Sequence, residues 1–347
     1  MLTFLLRRLL TMLLTALCLT FVVFFLTNLS PNLEKVAKSE AGSRITDAEV
    51  ASWLEKNGYA RPMLVRYGEW IGLAPGWRRD EAGVISGRCI ARGTDPAAAP
   101  RFCGVIQGYW GQSTVFKEPV AGIVATRLGL TGILMFWVMA VMVPSALLIG
   151  MLAGMREGSR LDRSLSTVSI ASTATPEYVS GVIFIALFAS SMTGLKWFKG
   201  TATSAMDTIT FENFFLPVMT IAVYGIGYIA RMTRASMAEV MTAQYIRTAR
   251  LKGVAFGQVV MRHALRNALI APFTVIMLQF PWLLNGVVIV ETLFNYKGFG
   301  WTLVQAAGNN DIQLLLGCSV VAVVVVLVTQ LISDVGYVFL NPRIRIS

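Results

Sequence analysis

Apolar residues fall into six long runs, at residues 9–29, 128–155, 168–192, 214–230, 269–290 and 314–339. Four of these carry no charge; the third holds only Glu177 and the last only Asp334. At a rise of about 1.5 Å per residue, each run is long enough to cross roughly 30 Å of hydrocarbon as a helix. Helix is the expected form, because a backbone amide in lipid has to be paired within its own segment. A membrane β-barrel would show short segments of alternating polarity instead. The pattern therefore predicts an all-α membrane protein with six transmembrane helices: a first helix in 1–29, an outer segment 30–127, and a five-helix core in 128–347. The opening run is read as a retained helix, since its apolar core is too long for a secretion signal and no small-x-small cleavage pattern follows it.

The polar stretches between the runs predict smaller elements. In "ITDAEVASWLEKNG", Thr46 stands three residues before Glu49, a capping box. Ile45, Val50, Trp53 and Leu54 supply an apolar stripe, and Gly58 can end the helix. "RPMLVRYGEWIG" predicts a second short amphipathic helix with Pro62 in its first turn. Residues 74–108 shift to Gly, Pro, Ala and Arg, which predicts an irregular loop. Together these make a small helical cap between the first two membrane helices. Beyond the fourth run, the helix is expected to continue through "RMTRASMAEV". A loop at 231–267 then carries a short helix, "QYIRTARLKG", that Gly253 can stop, and a second one, "FGQVVMRHALRNAL".

Composition sharpens this reading. Of 347 residues, 55% are hydrophobic and 14% charged, against about a quarter charged in an average soluble domain. The net charge of +11 reports orientation more than a polyanionic partner, and nucleic-acid binding is not expected. Arg7 and Arg8, then Arg156, Arg160 and Arg163, then the loop 231–267, then Arg343 and Arg345 all fall on one side of a six-span chain. The short loops on the other side hold only Lys196, Lys199 and Lys297. By the positive-inside rule both termini are cytoplasmic and 30–127 is periplasmic. Cys89 and Cys103 share that outer segment, where an oxidising compartment lets them pair. Cys18 and Cys318, inside the first and last runs, are expected to be buried thiols.

The loop 231–267 is the densest cationic feature, with Arg247, Arg250 and Lys252 close together and Tyr245, Ala249 and Leu251 as apolar neighbours. A basic amphipathic helix of this kind can lie on anionic membrane lipid or dock in a groove of a partner protein.

The motifs in order decide what the chain looks like. "YIRTARLKGV…VMRHALRNALIAP" resembles the cytoplasmic loop of the membrane subunits of bacterial ATP-binding cassette importers, in the dipeptide, oligopeptide, opine and nickel branch. "LLRRLL", "EPVAGIVATRL", "LAGMREGSRLDR", "IVETLFNYKGFGWTLVQA" and "LNPRIR" are similar to segments of that family, and the likeness covers nearly the whole chain. The resemblance implies that Tyr245, Arg247, Thr248, Ala249, Arg250, Lys252 and Gly253 form a coupling helix that fits a cleft of an ATP-hydrolysing subunit. Arg247, Thr248 and Ala249 stand where the wider superfamily has Glu-Ala-Ala. The family's inter-helix pattern reads Thr175-Pro176-Glu177-Tyr178 here, and the Cys89–Cys103 loop is an addition. The implied partners are a second, homologous permease subunit, two ATP-binding subunits that hold ATP and Mg, and a periplasmic substrate-binding protein. The implied place is the bacterial inner membrane, and the substrate a peptide or similar small polar solute.

No "GxxxxGK[ST]" occurs and no Gly precedes a Lys, so the chain has no nucleotide-phosphate loop of that kind. Neither a catalytic constellation nor a metal-ligand spacing is read, and no cofactor is expected on this chain. Glu177, Tyr178 and Asn285 are the candidates for the translocation path, as polar groups near or within apolar runs; the other readings are capping or packing at a helix break after Pro176 for Glu177, and a hydrogen bond to a neighbouring helix for Asn285. Met135, Met139 and Met142 share a helical face and are read as packing; His263 is read as structural, and Asp334 as lying near the inner interface. The reading from another class is a self-contained channel or secondary transporter, for which intramembrane charge relays and broken-helix repeats are scarce.

Overall fold

The computed structural model describes residues 2–42, 44–81, 84–90, 95–191 and 195–340, with the side chains of 2–5, 81, 84, 280–285 and 337–340 outside that description. In chain order the helices are α1 (Leu2–Thr27), α2 (Ser30–Ala41), α3 (Asp47–Lys56) and α4 (Met63–Ile71). A hairpin of β1 (Arg78–Glu81) and β2 (Val84–Gly87) comes next. Then follow α5 (Val120–Gly154), α6 (Arg160–Ala174), α7 (Glu177–Phe188), α8 (Phe211–Thr242) and α9 (Gln244–Leu251). A helical stretch runs through α10 (Phe256–Gln258), a π-helical turn at Val259–Ala264 and α11 (Leu265–Ala268). The chain continues with α12 (Ile270–Leu293), α13 (Phe299–Gly308) and α14 (Ile312–Leu340). Among the described residues four helices are long and apolar enough to cross a membrane: α1, α5, α8 and α14. The bent pair α6–α7 adds a fifth if it is one span.

The chain divides into two compact units. One comprises residues 6–126 and 302–324; the other comprises 1–5, 127–301 and 325–347.

In the first unit the elements follow their local signals. Glu49 N donates to Thr46 Oγ1, and the Glu49 carboxylate accepts from Thr46 N at 2.7 Å, so α3 starts on the expected capping box. Pro62 is the residue before α4, and Gly72 closes that helix with φ of 100°. Phe24, Leu33, Val36, Trp70, Ile71, Ile312 and Leu316 form the core. Asp311, fully buried, caps α14 by accepting from Leu314 N, and also accepts from Ser113 Oγ and Val115 N. Within 74–108, expected to be irregular, β1 and β2 pair antiparallel with Arg78 opposite Gly87 and Glu81 opposite Val84. The strands escaped the reading because "RRDE" has no apolar alternation. Cys89 and Cys103 are joined by a disulfide, with Cα atoms 5.5 Å apart.

In the second unit α8 is the axis, with α6, α7 and α12 packed along it. Its N-terminus is set by Thr210 and Asn213 in a reciprocal cap. The core joins Leu134, Val138 and Met142 of α5 with Ile221, Ala222 and Ile229 of α8, and Val287 and Val290 of α12. Met142 is fully buried in it and Met135 and Met139 pack against it. Small residues allow the closest approaches: a Cβ on Gly154 of α5 would meet Met237 and the Arg234 carbonyl of α8.

Two expectations need correction. The third apolar run is not one rod. Its helices meet at Thr175–Pro176 and differ in direction by 107°. Proline supplies no amide and disfavours helix at the residue before it, and Thr175 is accordingly extended (φ −92°, ψ 120°). Cys18, expected to be buried, is exposed on α1. Leu6, Leu9, Leu10, Leu13 and Leu14 on the same helix are exposed as well, so this helix presents apolar side chains outward.

Candidate functional site

The basic segment is built on the end of α8. A single extended residue, Ala243 (φ −64°, ψ 147°), separates α8 from α9 and turns the chain. The inner face of α9 is apolar: Ile246 and Ala249 are buried, at 0% and 8% exposure, among Met237, Val259, Val260, Ala264 and Ala268. Tyr245 lies half out, and its hydroxyl accepts from Asn267 Nδ2 at 3.0 Å, which ties α9 to α11. Two separate contacts thus fix the rotation of α9 about its own axis.

That rotation decides what faces outward. Arg247, Thr248, Arg250, Lys252 and Gly253 are exposed, and Leu251 is 81% exposed, the most of any large apolar residue described. The Arg250 guanidinium lies 5.7 Å above the Phe256 ring, a cation–π contact that restrains it without neutralising it. Gly253 ends the helix as expected, at φ 77°, with its N–H donating to Arg250 O and Val254 N to Ala249 O. Arg262, His263 and Arg266 are exposed on the following helical stretch. Residues 244–268 contain no acid, so every charge on this face is positive, with Leu251 the most exposed of its apolar residues and Met261, Tyr245 and Phe256 exposed beside it. Ala249 is the exception among the seven expected coupling residues. It points into the protein, because a stripe at helical spacing joins it to Ile246, three residues back. Ile246 was the inward anchor that the reading missed; the same periodicity could have found it.

A second cluster anchors the same end of α8. Arg234 donates from Nε to Asp162 Oδ1 and from Nη2 to Asp162 Oδ2, both at 2.8 Å. Asp162 lies in the first turn of α6, ahead of the apolar run that begins at 168. It also accepts from Gly158 N at 2.8 Å and Ser166 Oγ at 3.1 Å. Its own N–H donates to Ser159 Oγ, the cap of α6. Glu157 lies 3.6 Å from Arg234. The hydrogen bonds from Arg234 hold the Asp162 carboxyl far below the usual carboxylate range, against the opposing effect of its burial. The partners stand 72 positions apart, so nothing local in the sequence joined them.

The path candidates sit elsewhere in this unit. Glu177 opens α7 just after Pro176 and is 8% exposed. Its Oε1 accepts no hydrogen bond from any described residue. A Cβ on Gly286 of α12 would lie 2.7 Å from Oε2, so a larger residue there would push that carboxylate aside. Tyr178, next in the chain, is exposed. The Asn285 side chain lies outside the described residues. A further buried acid, Glu291, went unnoticed in the sequence: it accepts from Thr131 Oγ1 and from Trp301 N, joining α5, α12 and α13. Among the described residues no group of His, Cys, Asp and Glu could hold a metal ion.

Residues 146–346, from the second half of α5 through the bent pair, α8, the cationic helix and beyond, match binding-protein-dependent transport system inner membrane components. The chain belongs to that family. It is 28% identical to a protein named as a peptide permease in Brucella suis biovar 1 (strain 1330), over the full length of both chains. It is 30% identical to one named as a peptide ABC transporter permease in Sinorhizobium fredii (strain NBRC 101917 / NGR234), over 99% of each chain. Identity to the oligopeptide transport system permease protein AppB of Bacillus subtilis (strain 168) is 29%, over 87% of each. As an inner membrane component of this type, the chain is a multi-pass membrane permease that works with separate ATP-hydrolysing and substrate-binding proteins.

Proposed function

We propose that this permease forms half of the translocation pathway of an ATP-driven importer for peptides, and that α9 is the piece through which a separate ATPase drives it. The supporting observation is the outward face of α9, with Arg247, Arg250 and Lys252 around the exposed Leu251. A groove in a partner suits such a face, because a strongly protruding Leu251 flanked by fixed charges has a defined shape to fill. The inward fastening through Ile246 and Ala249 makes it stiff enough to be pushed. The names of the relatives support peptides as the cargo.

In this reading the chain has six spans, with α6 and α7 sharing the third, and both termini and α9 are cytoplasmic. The cap within 30–127 is periplasmic and receives a substrate-binding protein. A second, homologous permease completes the pathway, which Glu177, Tyr178 and Asn285 help to line. Two ATP-binding subunits hold ATP and Mg. The exposed α1 face meets membrane lipid or that second permease.

The test is co-purification. The wild-type chain, expressed with its neighbouring transport genes, is expected to bring down an ATPase. Leu251→Asp with Arg250→Glu is expected to lose the ATPase and keep the second permease. Retention of the ATPase by that variant would place the docking surface elsewhere.

A further inference from the structure

The unit made of residues 6–126 and 302–324 lines a half-open cavity of about 270 Å³ that plays no part in the reading above. Its wall combines aromatic rings with two arginines, Arg66 of α4 and Arg88 just after β2. Arg66 is buried. One of its N–H groups donates to the Asn28 amide oxygen, and its guanidinium lies 5.2 Å from the centre of the Tyr59 ring. Neither neighbour carries a negative charge. Arg88 lies 5.9 Å from the centre of the Tyr109 ring, and its Nε donates to Cys103 O at 3.4 Å. The Nη2 of Arg88 is enclosed and has no hydrogen-bond partner among the described residues.

The acids nearby do not balance these charges. Glu69, buried in the wall, is held by Arg61. Glu40 is exposed at the rim. Burial pulls the pKa of both Arg66 and Arg88 down from its usual value, as expected for cations short of a counter-ion. Among the described residues, Arg61, Arg66 and Arg88 against Glu40 and Glu69 leave a single positive charge at the site. One added negative charge balances it, whereas a dianion would overshoot beside Glu40 and Glu69. Guanidinium forks match carboxylate geometry, and aromatic walls favour an organic body over a bare ion. The cavity shares Glu40, Ile90, Tyr109 and Gln112 with a wider cleft of about 840 Å³, so a ligand longer than its acid group has room.

We propose that this cavity binds the free carboxylate of a small, peptide-sized solute, with Arg88 and Arg66 as the residues that hold the acid. The disulfide belongs to the same device. Cys89 follows Arg88, and its partner Cys103 supplies the carbonyl that Arg88 Nε reaches, so the bridge fixes both ends of that contact. The choice of a peptide as the body of the ligand rests on the importer reading, whereas binding of the acid group needs neither ATP nor a second chain and is tested without them.

The test uses the full-length chain in lipid nanodiscs with radiolabelled N-acetyl-L-alanyl-L-alanine, a monoanion at neutral pH, as probe. Saturable binding is expected, with the C-terminal amide of the same dipeptide competing about tenfold or more weakly, the size of a lost charge-assisted pair. Arg88→Gln is expected to lose about tenfold or more, Arg88→Lys less, and reduction of the disulfide to weaken binding in the same direction. Equal competition by acid and amide, absence of saturable binding, or wild-type affinity in Arg88→Gln would each overturn the proposal. Should Arg88→Gln also change the thermal unfolding of the protein, the acid-versus-amide comparison on the unaltered chain decides alone.

Discussion

Arg234 donates two parallel hydrogen bonds of 2.8 Å to the Asp162 carboxylate, and in doing so locks the head of α6 to the last third of α8, the end from which α9 follows. Breaking that fork frees the end of α8 that carries the cationic face. Asp162→Asn keeps the shape and removes the charge. It is expected to cost about 2 kcal/mol, the usual worth of a hydrogen bond to a charged group. Thermal unfolding of the purified protein reads the loss.

The same pair has a pH signature. Asp162 is ionised more readily in the folded chain than in the unfolded one. Its contribution is therefore complete above the unfolded value of about 3.9 and declines only as pH falls below it. The stability gap between wild type and Asp162→Asn should stay constant from about pH 7 to 5 and narrow below about 4. A gap that closes between pH 7 and 5 would contradict the assignment.

Gly253 separates a backbone requirement from a docking one. Its φ of 77° disfavours residues with a Cβ, yet no atom lies within 4 Å of where a Cβ would be. Gly253→Asn, which tolerates that conformation, is expected to retain transport. Gly253→Trp is expected to reach the membrane and assemble, but to hydrolyse ATP without moving substrate. Uptake and ATPase rates measured side by side distinguish the two, and normal transport by the tryptophan variant would remove Gly253 from the docking surface.

Gly286 and Glu177 should behave as a coupled pair. Gly286→Ala puts a methyl group 2.7 Å from the Glu177 carboxylate and is expected to displace that side chain at a cost of about 1 kcal/mol, the usual size of a rotamer strain. Shortening the opposing side chain with Glu177→Ala should recover part of that loss. A double-mutant cycle with no coupling would show that the carboxylate swings clear.

What could be read in advance was whatever is local. Thr46 and Glu49 announce α3 because both halves of the cap lie within four residues, and Gly253 ends α9 because a left-handed stop favours glycine. Four of the six apolar runs became helices long and apolar enough to cross a membrane for the same reason. The 107° break was visible only as Pro176, and a count of apolar residues passes straight over it. The contacts that fasten the site were not legible. Asp162 and Arg234 meet across 72 positions, and Thr131 and Glu291 across 160. The orientation of α9 depended on which of its apolar residues had something to pack against, and that is a property of α11 and the π turn. Residues near α9 in space but not in sequence therefore turned Ala249 inward and left Leu251 outside.

One dimension of α8 carries a mechanical consequence. A continuous helix of 32 residues measures about 48 Å, while hydrocarbon takes up about 30 Å of it. If that excess all lies on the side of α9, about 18 Å stands clear of the lipid and, in the proposed coupling role, serves as a lever arm with α9 as its handle. With the pivot at mid-bilayer, a tilt of only about 10° sweeps that handle through about 6 Å, roughly one helical turn. A partner that closes by a few ångströms thus has enough travel to reorient the buried part of α8, and every helix packed along it, without bending any of them.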